Sequence, residues 1–454
     1  MHVSRPEEVP RPSVCAVNRD LRRDLYAAAS AALLVVTAVV IGTGIEHRNG
    51  SLRVGWPPLL ATWEPHIGPG TPAAIAVAVA VVAYGPALAA RLPWRPLLLV
   101  TWGTALAWTW SLALVDGWYR GIAQQLTTRY EYLQVIGRFH DIPGTLRDFT
   151  HHIIGGTPGS WPAHVAGHPP GATVTFVLLD RIGLGGGGWA GTFVITVGTT
   201  ATVAVLVAVR TLADEKLARR AAPFLALAPA AVWVGTSADG YFTAVAAWAT
   251  AFLALAVTGH HPRWTGFAAG LLFGLTAYLS YGLTLFALIA AAVLLLGSQR
   301  TRPLPFLLAG LAVIPAVFTA LGFNWWEAYH LLVTRYYQGA GGVRPYGYWV
   351  WANLACTVFI VGPATAAGLC RTGTTLIRRP PAPAFRLAVL VAAALLALLV
   401  ADASGMSKAE TERIWLPFAM WLLPSCAFLT GARGWLAAQA VLALLVNHLL
   451  LTGW

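Results

Sequence analysis

The sequence predicts an all-α fold: a polytopic transmembrane helical bundle of about 11–13 spans, with interfacial amphipathic helices in one large extracytoplasmic loop. Three observations carry this reading. Hydrophobic residues make up 57% of the 454 residues and charged residues only 11%, against about 25% charge in a soluble domain, and the mean hydropathy is +0.64. Apolar runs near the 20 or so residues that cross a bilayer as a helix recur along the whole chain. The turns between them alternate in character, one set basic and the other rich in acids and aromatics.

In chain order, the first 24 residues are polar, carry Arg5, Arg11, Arg19, Arg22 and Arg23, and read as a cytoplasmic tail. The next run is long enough to span and lacks a small-residue cleavage site, so it reads as an anchor rather than a removed signal peptide. Spans follow the periodicity at 25–45, 73–90, 96–115, 188–210, 222–236, 239–257, 265–281, 283–298, 304–322, 349–370, 385–402, 413–430 and 435–452. With the N-terminus inside, the inward turns read "RLPWR", "RTLADEKLARR", "GHHPRW", "GSQRTRP" and "RTGTTLIRRPPAPAFR", all basic. Of the 30 Lys and Arg, 19 lie on that side and 11 on the other, while the 18 acids divide 6 inside and 12 outside. A bias of this sign sets orientation in a cell membrane. Residues 25–454 therefore read as one transmembrane domain, with 116–187 as its extracytoplasmic loop.

Several function classes fall away. The net charge of +12 follows the membrane turns and is no nucleic-acid footprint. Cys15, Cys356, Cys370 and Cys426 lack CxxC spacing, which argues against a zinc site or a disulfide framework. "GLGGGG" at 183–188 has no Lys or Ser/Thr in phosphate-loop register and reads as a turn. His151 and His152 lack a third ligand at helical spacing. A transporter needs ionisable residues near the bilayer midplane, often on broken helices in paired halves; these spans hold almost none, and no internal repeat is visible.

The outward turns hold the chemistry. The 46–72 turn is polar without an obvious constellation. The 116–187 loop opens with Asp116, at the outer end of a span. Residues 119–135 read as an amphipathic helix with Ile122, Leu126, Tyr130 and Leu133 on one face, lying in the interface over the bundle mouth and carrying Glu131 on it. A second short helix is expected over roughly 144–153. "GHPPGA" follows: the residue before a proline is pushed out of the helical region and the second proline opens a helix, so a rigid bend leads into a helix at 171–182, too short to span. The 323–348 turn carries Trp325, Trp326, Arg335, Tyr336, Tyr337 and Arg344; the tryptophans suit an aromatic belt. The 403–412 turn, "ASGMSKAETE", runs into "RIWLPF" and holds Lys408, Glu410, Glu412 and Arg413.

In order, "DGWYRGIA", "GHPPGATVTFVLL" and "VAVRTLADEKLARRAAPFLALAPAAVWVGTSADGYFTAVAAWATAFLALA" resemble the GT-C superfamily of membrane glycosyltransferases, nearest the branch of protein O-mannosyltransferases and lipid A aminoarabinose transferases. The pattern covers about a third of the chain (116–257). It departs from the family at Gly117, where many relatives have a second acid, at His168, where the family has Lys before the prolines, and at the tyrosine, Tyr119, which comes one position early. The resemblance implies inverting transfer of a sugar from a polyprenyl-phosphate donor to a glycan, lipid or protein acceptor on the extracytoplasmic face, with membrane lipids around it and no nucleic acid. Asp116 is then the general base, and Asp239 is the outward acid that opens a span, although a helix N-terminus also welcomes an acid. Tyr119, Glu131, Tyr336 and Glu412 fall in the substrate site. His168, Arg335, Arg344, Lys408 and Arg413 are the candidates for holding phosphate, Arg being suited to bidentate contact. Arg413 is expected at the interface, paired with Glu410 or Glu412, where its loss leaves the fold intact. No cofactor is expected, a divalent cation being left open. The scarcity of lysine (Lys216 and Lys408 alone) beside abundant Ala, Arg, Gly and Val fits a high-GC, actinobacterial genome; there the sugar is of the mannose or arabinose class. The competing class is a polyprenyl-lipid flippase or an envelope-assembly scaffold, which tolerates Asp116→Asn where a transferase does not.

The charge bias generates a topology test. In a cysteine-free background, a cysteine placed within 155–160 should be modified by an impermeant reagent added outside, and one at 376 should be protected. The reverse pattern would overturn the orientation.

Overall fold

The computed structural model describes residues 14–380 and 382–453; the first half of the expected N-terminal tail, residues 1–13, lies outside the described residues. The described residues are mostly helical, with two three-residue strands among them. Among the described residues, seven helices are long and apolar enough to cross a membrane, or eight if Leu304–Ala320 and Trp325–Gln338, which meet at 77°, count as one bent span. The protein is a multi-pass helical bundle. All thirteen expected segments contain helix, but fewer make a full-length crossing. The 222–236 segment divides into Glu215–Ala226 and Ala231–Val234 around a turn at Pro229, and Tyr281–Leu296 and Leu416–Phe428 are shorter apolar helices. Buried inside protein rather than facing lipid, such pieces need not match the bilayer thickness.

Burial grades outward from one axis. The apolar window of Ala238–Val257 is 83% buried, whereas that of Thr71–Arg91 is 22% and that of Arg19–Asn49 only 11%. The first helix runs from Val14 to Asn49, so the arginines Arg19, Arg22 and Arg23 extend the span rather than forming a separate tail. Its buried Asp24 is held by the guanidinium of Arg371, with Nε donating to Oδ1 at 2.6 Å and Nη2 to Oδ2 at 2.8 Å.

Two segments far apart in sequence meet at the end of the bundle that carries Asp116. Strand β1 (Ala61–Trp63) pairs antiparallel with strand β2 (Leu450–Thr452), Thr62 opposite Leu451. The pairing continues as Glu64 N–H to Leu449 O at 3.0 Å and His66 N–H to His448 O at 2.8 Å. The first outer loop is thereby fastened beside the last helix, Ala432–Leu449.

The 116–187 loop departs from expectation at its start. No continuous amphipathic helix covers 119–135. Single turns at Tyr119–Ala123, Gln125–Thr127 and Tyr132–Arg138 are separated by extended backbone at Thr128 (ψ 162°) and Glu131 (ψ 167°). The break shifts the helical phase: Ile122, Leu126, Tyr132 and Val135 are buried, while Tyr130 is exposed. It also turns Glu131 inward. The next helix is Ile142–Asp148, continued by a turn at Phe149–His152. After "GHPPG", His168 is extended (φ −129°, ψ 153°) and a helix runs from Gly171 to Arg181, as the backbone restriction before proline dictates.

The 33-residue helix Tyr346–Arg378 is broken at Gly362, whose φ of 75° no β-branched or bulky residue adopts comfortably, just before Pro363. Such a kink inside the bundle frees backbone groups that no water can satisfy. Gln439, fully buried, supplies the missing partners: Nε2 donates to Val361 O at 2.7 Å, and Oε1 accepts from Ala364 N–H at 3.4 Å. A Cβ at Gly362 would collide with that same Oε1. Gln439→Leu keeps the volume and removes both bonds. It should cost about 1–3 kcal/mol for the stranded backbone groups, read as a lowered melting temperature of the detergent-solubilised protein. An unchanged melt would show that the kink does not depend on this side chain.

Candidate active site

Two polar clusters form at the end of the bundle where the 116–187 loop lies. The first centres on Asp116, which ends the turn following the Trp94–Ala113 helix. His66 Nε2 lies 3.0 Å from Asp116 Oδ1, an ion-pair distance without good hydrogen-bond alignment. Arg120 Nη2 stands 3.8 Å from the same oxygen and 3.0 Å from Glu64 Oε1. Asp116 is 17% exposed and Arg120 is 46% exposed, so both side chains meet water. The 46–72 turn, from which no constellation was expected, supplies Glu64 and His66. The available signal was "EPH", two ionisable groups flanking a proline, but only the β1–β2 pairing carries them to Asp116. Tyr119 points to solvent, 67% exposed.

The second cluster is buried and surrounds Arg413. Its Nη1 donates to Asp239 Oδ2 at 2.8 Å and its Nη2 to Glu410 Oε2 at 2.9 Å. Nη2 also contacts His164 Nε2 at 3.0 Å. Since an arginine only donates, His164 Nε2 is the acceptor there. Its proton therefore sits on Nδ1, which donates to Glu131 Oε1 at 2.7 Å. Ser237 Oγ donates to Asp239 Oδ2 at 2.9 Å. Arg344 completes the set, its Nη1 3.3 Å from Glu410 Oε1 and 2.8 Å from the carbonyl of Lys408. Burial opposes ionisation of Glu410, but the guanidiniums of Arg413 and Arg344 outweigh it and hold its carboxyl down at about 2.

Four of the expected site residues take different positions from those read in the sequence. Arg413 is not an interfacial side chain: it is 5% exposed and pairs with Asp239 and Glu410 rather than Glu412. Deleting it leaves buried carboxylates uncompensated, which costs about 3–5 kcal/mol, so its loss threatens the fold. His168 is no cation. Burial pushes its imidazole down to about 4, its Nδ1 bonds the carbonyl of His164 at 2.8 Å, and its ring packs against Tyr132 and Phe242. Lys408 is 8% exposed, donates from Nζ to Gly341 O at 2.9 Å, and gives its backbone N–H to Tyr336 Oη at 3.0 Å; this pair joins two outer turns. Arg335 reaches the carbonyl of Trp161 at 3.5 Å, and its neighbour Gln338 accepts from Gly155 N–H at 3.0 Å, so both brace the 155–161 segment. His164, Glu64 and His66 were not singled out from the sequence. His151 and His152 both bond Asp148, on the surface. Among the described residues, no group of three or more His, Cys, Asp or Glu is arranged to hold a metal ion.

Glu412 is fully buried. Its Oε1 accepts from Leu60 N–H at 3.0 Å, and among the described residues its Oε2 has no partner. Burial raises the carboxyl from 4.5 to about 7. The folded state therefore binds more protons than the unfolded chain between about 4.5 and 7, and stability falls as pH rises through that window. Glu412→Gln keeps an acceptor for Leu60 and abolishes the titration. The melting temperature of the variant relative to the natural protein should climb from pH 5 to pH 8. A difference independent of pH would contradict the assignment.

No protein-family model matches the chain, and no curated protein does. Among solved structures, it is similar to the Archaeoglobus fulgidus oligosaccharyltransferase in complex with Zn and sulfate, at 15% identity and a TM-score of 0.45 over 77% of this chain and 51% of that one. It is also similar to archaeal oligosaccharyltransferase AglB from Archaeoglobus fulgidus in complex with an inhibitory peptide and a dolichol-phosphate, at 12% identity and a TM-score of 0.43 over 73% of this chain and 50% of that one. A third likeness is to ArnT from Cupriavidus metallidurans bound to undecaprenyl phosphate, at 16% identity and a TM-score of 0.42 over 72% of this chain and 60% of that one. The chain spans about half the length of the first two of these.

Proposed function

We propose that the protein is an inverting membrane glycosyltransferase that moves a sugar of the mannose or arabinose class from a polyprenyl-phosphate donor to a cell-envelope acceptor at the outer face of the plasma membrane. The observation that carries this reading is the place of the charges. Every Asp, Glu, Lys, Arg and His of the seven long spans lies toward one end of its helix, none in the central turns where a transporter's coupling groups sit. The outer ends carry Glu46, Asp116, Asp239 and Asp402. A catalytic mouth at the membrane surface accounts for this pattern; a path through the bilayer does not.

Asp116 is the base in this reading. The acceptor hydroxyl attacks the anomeric carbon from the face opposite the phosphate, and its proton passes to a carboxylate oxygen of Asp116. The bond between anomeric carbon and phosphate oxygen breaks, and the phosphate leaves with the electron pair. Developing charge there calls for a placed donor. Arg120 is the guanidinium that lies beside Asp116; it gives Nη2 to Glu64 Oε1 but stays half exposed, whereas Arg413 and Arg344 are buried against the carboxylates they pair with. His66 and Glu64 orient this pair. Glu131, His164, Asp239 and Arg413 are positioning residues that fasten the loop over the mouth.

Transfer is measured in proteoliposomes with synthetic polyprenyl-phosphate mannose and arabinose. Asp116→Asn preserves the shape but accepts no proton, and it should lose at least about 10²-fold in rate with little change in donor affinity. Asp116→Glu should rescue poorly, because a shift of about an ångström costs on the order of 10²-fold. Near-normal transfer by Asp116→Asn would eliminate the mechanism. Donor translocation that survives in Asp116→Asn, with no transfer by either protein, would establish the flippase class instead.

A further inference from the structure

A second cavity lies at the other end of the bundle. Arg219 of the Glu215–Ala226 helix donates to the carbonyls of Ala89 at 2.8 Å and Leu92 at 2.7 Å. The cavity therefore sits by the 89–92 turn, one 20-residue helix, or roughly 30 Å, from Asp116. It has a volume of about 740 Å³ and is lined by Pro86, Ala90, Lys216, Arg220, Phe224 and Leu429. That size falls within the about 300–1,000 Å³ of ligand pockets. All three contributing segments border turns on the basic side of the protein.

The charges on its wall divide into spent and available. Glu215 also lines it, but its Oε1 takes Arg219 at 2.6 Å and its Oε2 takes Arg210 at 2.8 Å. Lys216 is exposed and, among the described residues, makes no ion pair or hydrogen bond. Arg220 gives one donor to Leu429 O and keeps the rest of its five-donor fork. Gly431 also lines the cavity and starts the Ala432–Leu449 helix without a side-chain cap, so the positive end of that helix opens here. The rest of the lining includes apolar Pro86, Pro223, Phe224 and Leu429. Two available cations and a helix start share the cavity with an apolar wall, beside the ends of long apolar helices. This is the complement of an amphiphile with an anionic head, not of a soluble anion.

We propose that this cavity binds one anionic glycerophospholipid from the leaflet on the basic side, with Lys216 and Arg220 holding its phosphate and Pro86 and Phe224 flanking an acyl chain. The site stands independently of the transferase reading.

Native mass spectrometry of the full-length protein, released from nanodiscs of phosphatidylcholine with or without phosphatidylglycerol, tests this. The natural protein should retain one phosphatidylglycerol per chain. Each cation near a membrane surface contributes on the order of fivefold in affinity, so Lys216→Gln with Arg220→Gln should weaken retention about 25-fold. Ala90→Trp, at an exposed position, fills the cavity without altering charge and should also displace the lipid. Arg302→Gln with Arg378→Gln removes two exposed cations elsewhere on the basic side and should retain it. Equal retention by all four proteins, or equal loss in the control pair, would overturn the site. Displacement by inorganic phosphate as effective as by phosphatidylglycerol would overturn the lipid assignment.

Discussion

The outer half of this protein depends on one constraint: a guanidinium withdrawn from water must be neutralised where it lies. Arg413 is that group. Asp239 at the start of the central helix, Glu410 in the preceding turn and His164 in the long loop all converge on it, and His164 passes the connection to Glu131. Three regions far apart in sequence, the long loop, the start of the central helix and the turn before Arg413, are held by one planar fork. Arginine suits this role because its donors diverge in fixed directions, whereas a lysine offers a point charge. The loop over the mouth is thus fastened by charge as well as by packing. Loss of any one acceptor leaves the others in a worse balance.

The Asp116 cluster obeys the opposite requirement. Asp116 stays partly exposed, with a half-exposed Arg120 beside it. The β1–β2 pairing brings His66 and Glu64 into place, and the last helix holds that pairing. Rigidity and access are assigned to different residues: the buried network secures the frame, and the Asp116 cluster keeps contact with water.

The membrane imposes a related economy on the backbone. At Gly362 the helix breaks inside protein, and Gln439 satisfies the carbonyl and amide that the break releases. A hydrocarbon surround offers no water for this purpose, so the partner must come from the chain itself. Charges follow the same logic and collect at the helix ends. The basic end leaves Lys216 and Arg220 facing a cavity, where the outer end spends Arg413 and Arg344 internally.

By itself the sequence determined the helical segments, the alternation of basic and acidic turns, and the helix that follows "GHPPG". These are local properties: run length, the sign of charge near a span, and the restricted backbone before proline. Asp116, Asp239 and Arg413 were legible as ionisable residues beside span ends. Their partners were not. Arg413 and Asp239 are 174 residues apart, and Glu412, closer in sequence, turns instead to Leu60. The break at Thr128 and Glu131 likewise defeated a helical reading of 119–135, because buried pairing of Glu131 with His164 outweighs a marginal amphipathic period. Only the tertiary structure decided which charges meet, since the strength of a buried ion pair depends on distance and desolvation, and neither is written in the order of residues.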